Sequence, residues 1–369
     1  MSIRTKMKRT APLESLYTRG RPNSLNAIRL VLAAAVILWH SYAALDVPRI
    51  TGGLRELVGA FPVNGFFAIS GFLIYRSWQN KPSAREYLTA RALRIYPAFW
   101  ACLLVTAFIF APLATAIQGG NPLVQAFSWD SVAYVGKNAS LAMLQWRIGD
   151  SPTGIPFTES WNASLWTLAW EFLCYIGLLI LGLLGMTTRR WLLPLAFLGS
   201  LVINAVALTP IEPHELIQRV GRFSIFFIAG ALVAQYAHRL PARWWFGALT
   251  TAIAITACWL PVGHYFVQAA ATALGLITLG GLINPQWATL RNDISYGVYI
   301  YAFPVQQLLV TAGVLTLGVL EFSLIAFVIT VPIAMASWYL IEKPALRMRS
   351  RLGYPAWFRS RTLVRQISR

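Results

Sequence analysis

Residues 25–45 read LNAIRLVLAAAVILWHSYAAL. This is a mostly apolar run of the length a helix needs to cross a bilayer, about 20 residues. Arg29 and His40 break it. They stand 11 positions apart, which is three helical turns plus about 20°, so both point to one face. The 1.5 Å rise separates them by about 16–17 Å along the axis. An ionisable group in hydrocarbon costs several kcal/mol unless it is paired or wet. Arg29 is either a residue snorkelling to the interface or a group facing the bundle. His40 is either an interhelical hydrogen-bonding group or a chemical one. The shared face draws both towards function.

The rest of the chain repeats the pattern. Of 369 residues, 57% are hydrophobic and only 12% charged, about half the charge of a soluble domain. Mean hydropathy is +0.57. The 15 Trp and 14 Tyr suit interfacial belts. Ten apolar stretches follow one another, at 25–45, 59–77, 95–117, 163–185, 191–209, 221–238, 244–262, 264–284, 294–314 and 319–341. The expected fold is therefore all-α, a polytopic membrane protein with about ten transmembrane helices. A net charge of +18 raises nucleic acid as a partner, but the basic residues cluster at the chain ends and in alternate loops. Arg4, Lys6, Lys8 and Arg9 lie in the leader, Lys81 and Arg85 after the second span, and Arg359, Arg361 and Arg365 in the tail. That asymmetry places the N- and C-termini in the cytoplasm and excludes a nucleic-acid surface.

The expected organisation is a basic leader at 1–24, a bundle at 25–342 and a basic tail at 343–369, where Trp357 and Phe358 sit among arginines. The leader suits anionic lipid and lacks a cleavage site. Segment 118–162 is too polar to span, and its Trp129, Trp146 and Trp161 suggest an interfacial helix followed by a loop. Cys102, Cys174 and Cys258 fall in apolar segments, giving neither a disulfide framework nor zinc spacing. No metal is expected.

Further residues stand out. Glu171 lies in Leu165-Trp166-Thr167-Leu168-Ala169-Trp170-Glu171-Phe172. Counted from its span's outer end, it falls near the depth of His40, where an imidazole is a natural partner; an ion pair with an arginine is the alternative. Ser70-Gly71, within Phe66-Phe67-Ala68-Ile69-Ser70-Gly71-Phe72-Leu73, allows close approach of a helix or a ligand. Arg91 and Arg94, one turn apart before Ile95-Tyr96-Pro97, either grip a phosphate or anchor the cytoplasmic end. Ser295-Tyr296-Gly297-Val298-Tyr299 packs or hydrogen-bonds. Glu342-Lys343-Pro344 suits a helix end with an interfacial ion pair.

In order and spacing these motifs resemble acyltransferase family 3, membrane proteins that O-acylate sugars, over nearly the whole chain. The resemblance implies ten spans in the bacterial inner (cytoplasmic) membrane. It also implies a cytoplasmic acyl-coenzyme A donor, acetyl by default, and a glycan or lipid-linked saccharide acceptor outside. Acyl-CoA is then a co-substrate, and no cofactor is permanently bound. The implied site comprises His40 and Glu171 as catalytic residues, Arg29, Arg91 and Arg94 on the donor, and Ser70, Gly71, Trp166 and Tyr296 lining it. Many relatives carry a His where this chain has Ala302, and no esterase-like domain follows the last span. Acyl transfer to a hydroxyl needs a base, a positioned thioester and charge stabilisation. Neutral His40 fits the base near pH 7, with Glu171 orienting it as a triad carboxylate does. A transporter or flippase of a lipid-linked glycan is the rival reading, and a non-catalytic scaffold is the third.

Overall fold

The computed structural model describes residues 11–351 apart from 19, 49, 207–214, 261–264 and 291, with residues 349–351 described by backbone alone. The leader residues Arg4, Lys6, Lys8, Arg9 and Arg19, and the tail with Trp357 and Phe358, lie outside the described residues. Among the described residues there are helices and loops but no β-strand, only two isolated bridges.

Seven helices are long and apolar enough to cross a membrane: α1 (Leu25–Ala44), α2 (Gly52–Asn80), α3 (Ala84–Ile117), α5 (Trp166–Leu183), α7 (Glu215–Tyr236), α9 (Tyr265–Leu282) and α11 (Val319–Met348). Helices α6 (Leu192–Val206) and α8 (Trp244–Trp259) are apolar but shorter. Helix α10 (Ser295–Thr311) is 17 residues long and buried along nearly its whole length. These three overlap stretches of the expected set of ten, but among the described residues only seven helices reach membrane-spanning length. The chain is a multi-pass membrane protein. Large apolar side chains such as Val31, Leu195 and Leu340 stand exposed on the outer helical faces, as a hydrocarbon solvent permits.

Helix α3 begins eleven residues before the expected span. Arg85, Arg91 and Arg94 are therefore helical, and the preceding loop shrinks to Lys81–Ser83. The reason is local: residues 84–94, AREYLTARALR, are rich in helix formers well before the apolar run starts. Segment 118–162 does contain a helix followed by a loop, with α4 at Trp129–Asn138. Its Trp129 and the neighbouring Phe127 are exposed.

Three helices each carry one π-helical turn, at Glu56–Ala60 in α2, Thr106–Phe110 in α3 and Trp338–Glu342 in α11. Such insertions re-aim the side chains around them. The tightest crossing joins α2 to α7. A Cβ at Gly71 would lie 1.9 Å from the Phe227 backbone oxygen, and one at Gly230 would lie 1.9 Å from that of Ala68. Backbones this close need the missing side chain. Gly71→Ala is expected to destabilise the bundle by about 1–3 kcal/mol through overpacking, read as a lower unfolding temperature in detergent. Gly177→Ala in α5, where a new Cβ meets nothing within 4 Å, should show no such drop.

Candidate functional site: a layer of paired charges and a distant imidazole

Asp293 sits just before α10 and gathers two arginines. Arg29 of α1 and Arg94 of α3 both reach its Oδ2, Arg94 at 2.5 Å. The other carboxylate oxygen, Oδ1, accepts from the Ser295 N–H and hydroxyl, which ties Asp293 to the first turn of α10. Arg94 also donates to Glu342 Oε2 at 3.0 Å. Glu342 is only 1% exposed, and the π turn of α11 aims it inward. Two arginines therefore face two carboxylates. Aromatic rings enclose it: Phe66 lies 5.7 Å from the Arg29 guanidinium, Tyr296 5.6 Å and Trp338 5.7 Å from that of Arg94. Burial alone would push Asp293 up, but the two guanidiniums outweigh it and hold its carboxyl below the usual range.

Glu342 does not end a helix at the interface as its motif suggests: α11 runs on to Met348, and the ion pair of Glu342 with Arg94 is buried because both side chains turn into the bundle. The expected phosphate grip is different from what the spacing suggests. Both terminal nitrogens of Arg94 are already on carboxylates, and Arg29 is on Asp293. Arg91 lies one turn from Arg94 on α3 and is half-buried.

Glu171 joins Ser70. The Ser70 hydroxyl donates to Glu171 Oε1 at 2.5 Å, and the Tyr175 hydroxyl donates to the same oxygen at 2.5 Å. One turn earlier on α5, the Thr167 and Tyr299 hydroxyls meet at 2.5 Å, and Phe66 packs edge-on against Tyr299. Gly71 faces the α7 backbone. Trp166 packs on Phe223, with Arg219 over its ring, whereas the Tyr296 hydroxyl donates to the Ile95 carbonyl beside the charge layer. Trp166 and Tyr296 therefore belong to different parts of the bundle.

His40 is elsewhere. Its ring packs edge-on against Phe303 at 4.9 Å. The packing of α1 on α2 fixes its depth. Leu32 lies against Gly65, and Trp39 against Gly59, so the two helices run antiparallel in a known register. His40 lies eight residues beyond Leu32 towards the far end, and Ser70 five residues beyond Gly65 towards the end where α1 begins. At 1.5 Å per residue, about 20 Å along the axis separates His40 from the Ser70–Glu171 pair. This corrects the expectation that Glu171 shares the depth of His40: Glu171 lies at the level of Arg29. Counting from span ends failed because α5 and α1 are offset, which only interhelical contacts reveal. Ala302 is buried in an apolar cluster with Ala33 and Ile37, beside the Phe303 that touches His40.

Sequence reading missed Asp293 and Tyr175, and it quoted Thr167 only as part of a motif. The chain has only 13 acidic residues, and one standing two positions before Ser295-Tyr296 was the available signal for Asp293.

Membrane-length helices enclosing a layer of arginines paired with carboxylates, with an imidazole held apart from it, define a polytopic membrane protein that places ionisable groups inside its bundle. The family model described as an acyltransferase domain (Acyl_transf_3) matches residues 23–339. The chain belongs to acyltransferase family 3 and is an acyltransferase moving groups other than aminoacyl ones. It is 29% identical to an "O-acetyl transferase" of Shigella phage Sf6 over 359 residues, 89% of this chain and 98% of that protein. It is 28% identical to "Nodulation protein 10" of Rhizobium leguminosarum bv. viciae over 374 residues, 91% of this chain and 96% of that protein. No solved structure matches.

Proposed function

We propose that the protein O-acylates a glycan on the outer side of a bacterial inner membrane, taking the acyl group from cytoplasmic acyl-coenzyme A. Similarity to an O-acetyl transferase favours acetyl. The observation that carries the reading is a two-ended arrangement: arginines paired with carboxylates at one depth and an imidazole about 16–17 Å from Arg29 along α1. Ten helices cross the membrane, with the basic leader and tail in the cytoplasm, so the charge layer lies towards the cytoplasm and His40 towards the outside.

Arg91 meets the phosphates of coenzyme A at the cytoplasmic mouth, with Arg29 and Arg94 in the layer beside it. The long thioester arm extends along the bundle towards His40, and the acceptor hydroxyl comes from outside. His40 takes the hydroxyl proton, the hydroxyl oxygen bonds to the thioester carbonyl carbon, and the carbon–sulfur bond breaks. The coenzyme A thiolate then leaves and takes up the proton held by His40. Neither substrate crosses the membrane. Glu171 keeps its place among the site residues by holding Ser70 and Tyr175 beside the path of the arm. Ser70→Ala is expected to lower kcat/KM for acyl-CoA by about 10-fold, the loss of one hydrogen bond to a charged group, in steady-state assays of equal amounts of folded protein.

A flippase of a lipid-linked glycan would share the many spans and buried charges but leave the sugar unchanged. Mass spectrometry of surface glycans from cells with and without the protein separates the two. Loss of one acyl mass on deletion supports the transferase. Unchanged acylation with altered glycan abundance or location supports transport.

A further inference from the structure

A cavity of about 330 Å³ opens at the far end of α1, lined by Tyr42, Ala43, Asp46, Val47, Pro48, Pro156 and Phe157. Its volume is at the lower end for small-molecule sites. It lies directly beyond His40. Ala43 is three residues on from His40 in the same helix and therefore lies one turn further on that face. Phe157 packs edge-on against Phe303, the ring that also meets His40. Phe157 and Phe303 thus link the cavity wall to the imidazole in a continuous row.

The wall is built rather than incidental. Gln307 is wholly buried and donates to both the Phe157 and Ser160 carbonyls at 2.8 Å, fixing the segment that carries Phe157. On the other side Asp46 adopts φ 54°, and the Val47 N–H returns to the Tyr42 carbonyl at 3.0 Å. The turn folds Val47 and Pro48 back over the helix end and leaves Asp46 exposed at the rim. None of the described ion pairs involves Asp46.

We infer that this cavity binds one neutral sugar ring of the acceptor, with its apolar face on Phe157 and the flanking prolines and its hydroxyls donating to Asp46. The proposal rests on the transferase reading above, for which it supplies the acceptor class. A ring of axial and equatorial C–H groups matches an aromatic face, and a carboxylate accepts from two neighbouring hydroxyls at once. The same carboxylate repels an acidic sugar. The cavity opens at the end of the bundle that His40 approaches, which puts a ring-bound hydroxyl on the side from which the base can reach it.

Saturation-transfer NMR on the full-length protein in detergent, without acyl-CoA, tests this independently of turnover. The probes are methyl hexopyranosides and the matching methyl hexopyranosiduronates. Neutral glycosides should receive saturation and the uronates little. Asp46→Ala and Phe157→Ala should each weaken neutral binding by about 10-fold, Asp46→Lys should reverse the preference, and His40→Ala should bind as the parent does. Equal transfer to neutral and acidic glycosides, no transfer to either, or unchanged binding in the Asp46 and Phe157 variants overturns the proposal. Loss of acyl transfer in His40→Ala with binding retained bears on the chemistry alone, so the two readings fail separately.

Discussion

Replacing His40 by alanine is expected to lower acyl transfer by about 10²–10⁴-fold, the usual contribution of a positioned general base, while the protein still inserts and folds. The expectation of normal folding comes from the surroundings. The imidazole packs edge-on against Phe303 near the end of α1, away from the charge layer that ties α1, α3, α10 and α11 together. Nearby cohesion rests on other groups: Gln306 donates to the Ile37 carbonyl and the Ser41 hydroxyl at 2.9 and 2.7 Å, and Ser323 donates to Ser41 at 2.8 Å. His40→Gln keeps a polar side chain of similar reach but cannot take a proton near neutral pH. It should be as inactive as the alanine variant. Steady-state assays normalised to folded protein check both, and full activity in either removes His40 from the mechanism.

Asp293→Ala should be the most damaging change to the fold. It removes the one carboxylate shared by Arg29 and Arg94 and the acceptor of the Ser295 N–H and hydroxyl. Deleting one partner of a buried ion pair strands the other charge, at about 3–5 kcal/mol. Here Arg29 loses its described carboxylate and Arg94 keeps only Glu342. Glu342→Gln should cost less, because Arg94 keeps Asp293. The double change Asp293→Ala with Arg29→Met should recover part of the loss, since it removes one stranded cation. Thermal unfolding of the detergent-extracted variants reads all three. Equal effects of Asp293→Ala and Glu342→Gln would contradict the shared-carboxylate arrangement.

The membrane class was legible because hydrocarbon imposes length and apolarity on each helix by itself, as residues 25–45 illustrate. Arg29 and His40 were legible for the same local reason: both violate the solvent of their own helix. Depth was not. The level of Glu171 depends on how α5 meets α2 and how α2 meets α1, and neither register is written in a single helix. Arg94 was legible as a cation but not as a paired one. Its partners, Asp293 and Glu342, are about 200 and 250 positions away in sequence, and Asp293 lies just outside a span, where a carboxylate raises no alarm. The early start of α3 was obscured because its first turns are polar, and a hydropathy reading begins a span only where charge ends. Gly71 was readable as a close-approach site, but only the Phe227 carbonyl identifies what approaches.

The two-ended account is tested most directly in sealed vesicles holding the full-length protein in one orientation, with labelled acetyl-CoA and a glycan acceptor on opposite sides. The account predicts acetylated glycan only when acetyl-CoA faces the basic leader and tail and the acceptor faces the other side, with neither substrate found across the membrane and no product from His40→Ala. Product formed with both substrates on one side, or unmodified glycan carried across without acetylation, would contradict it.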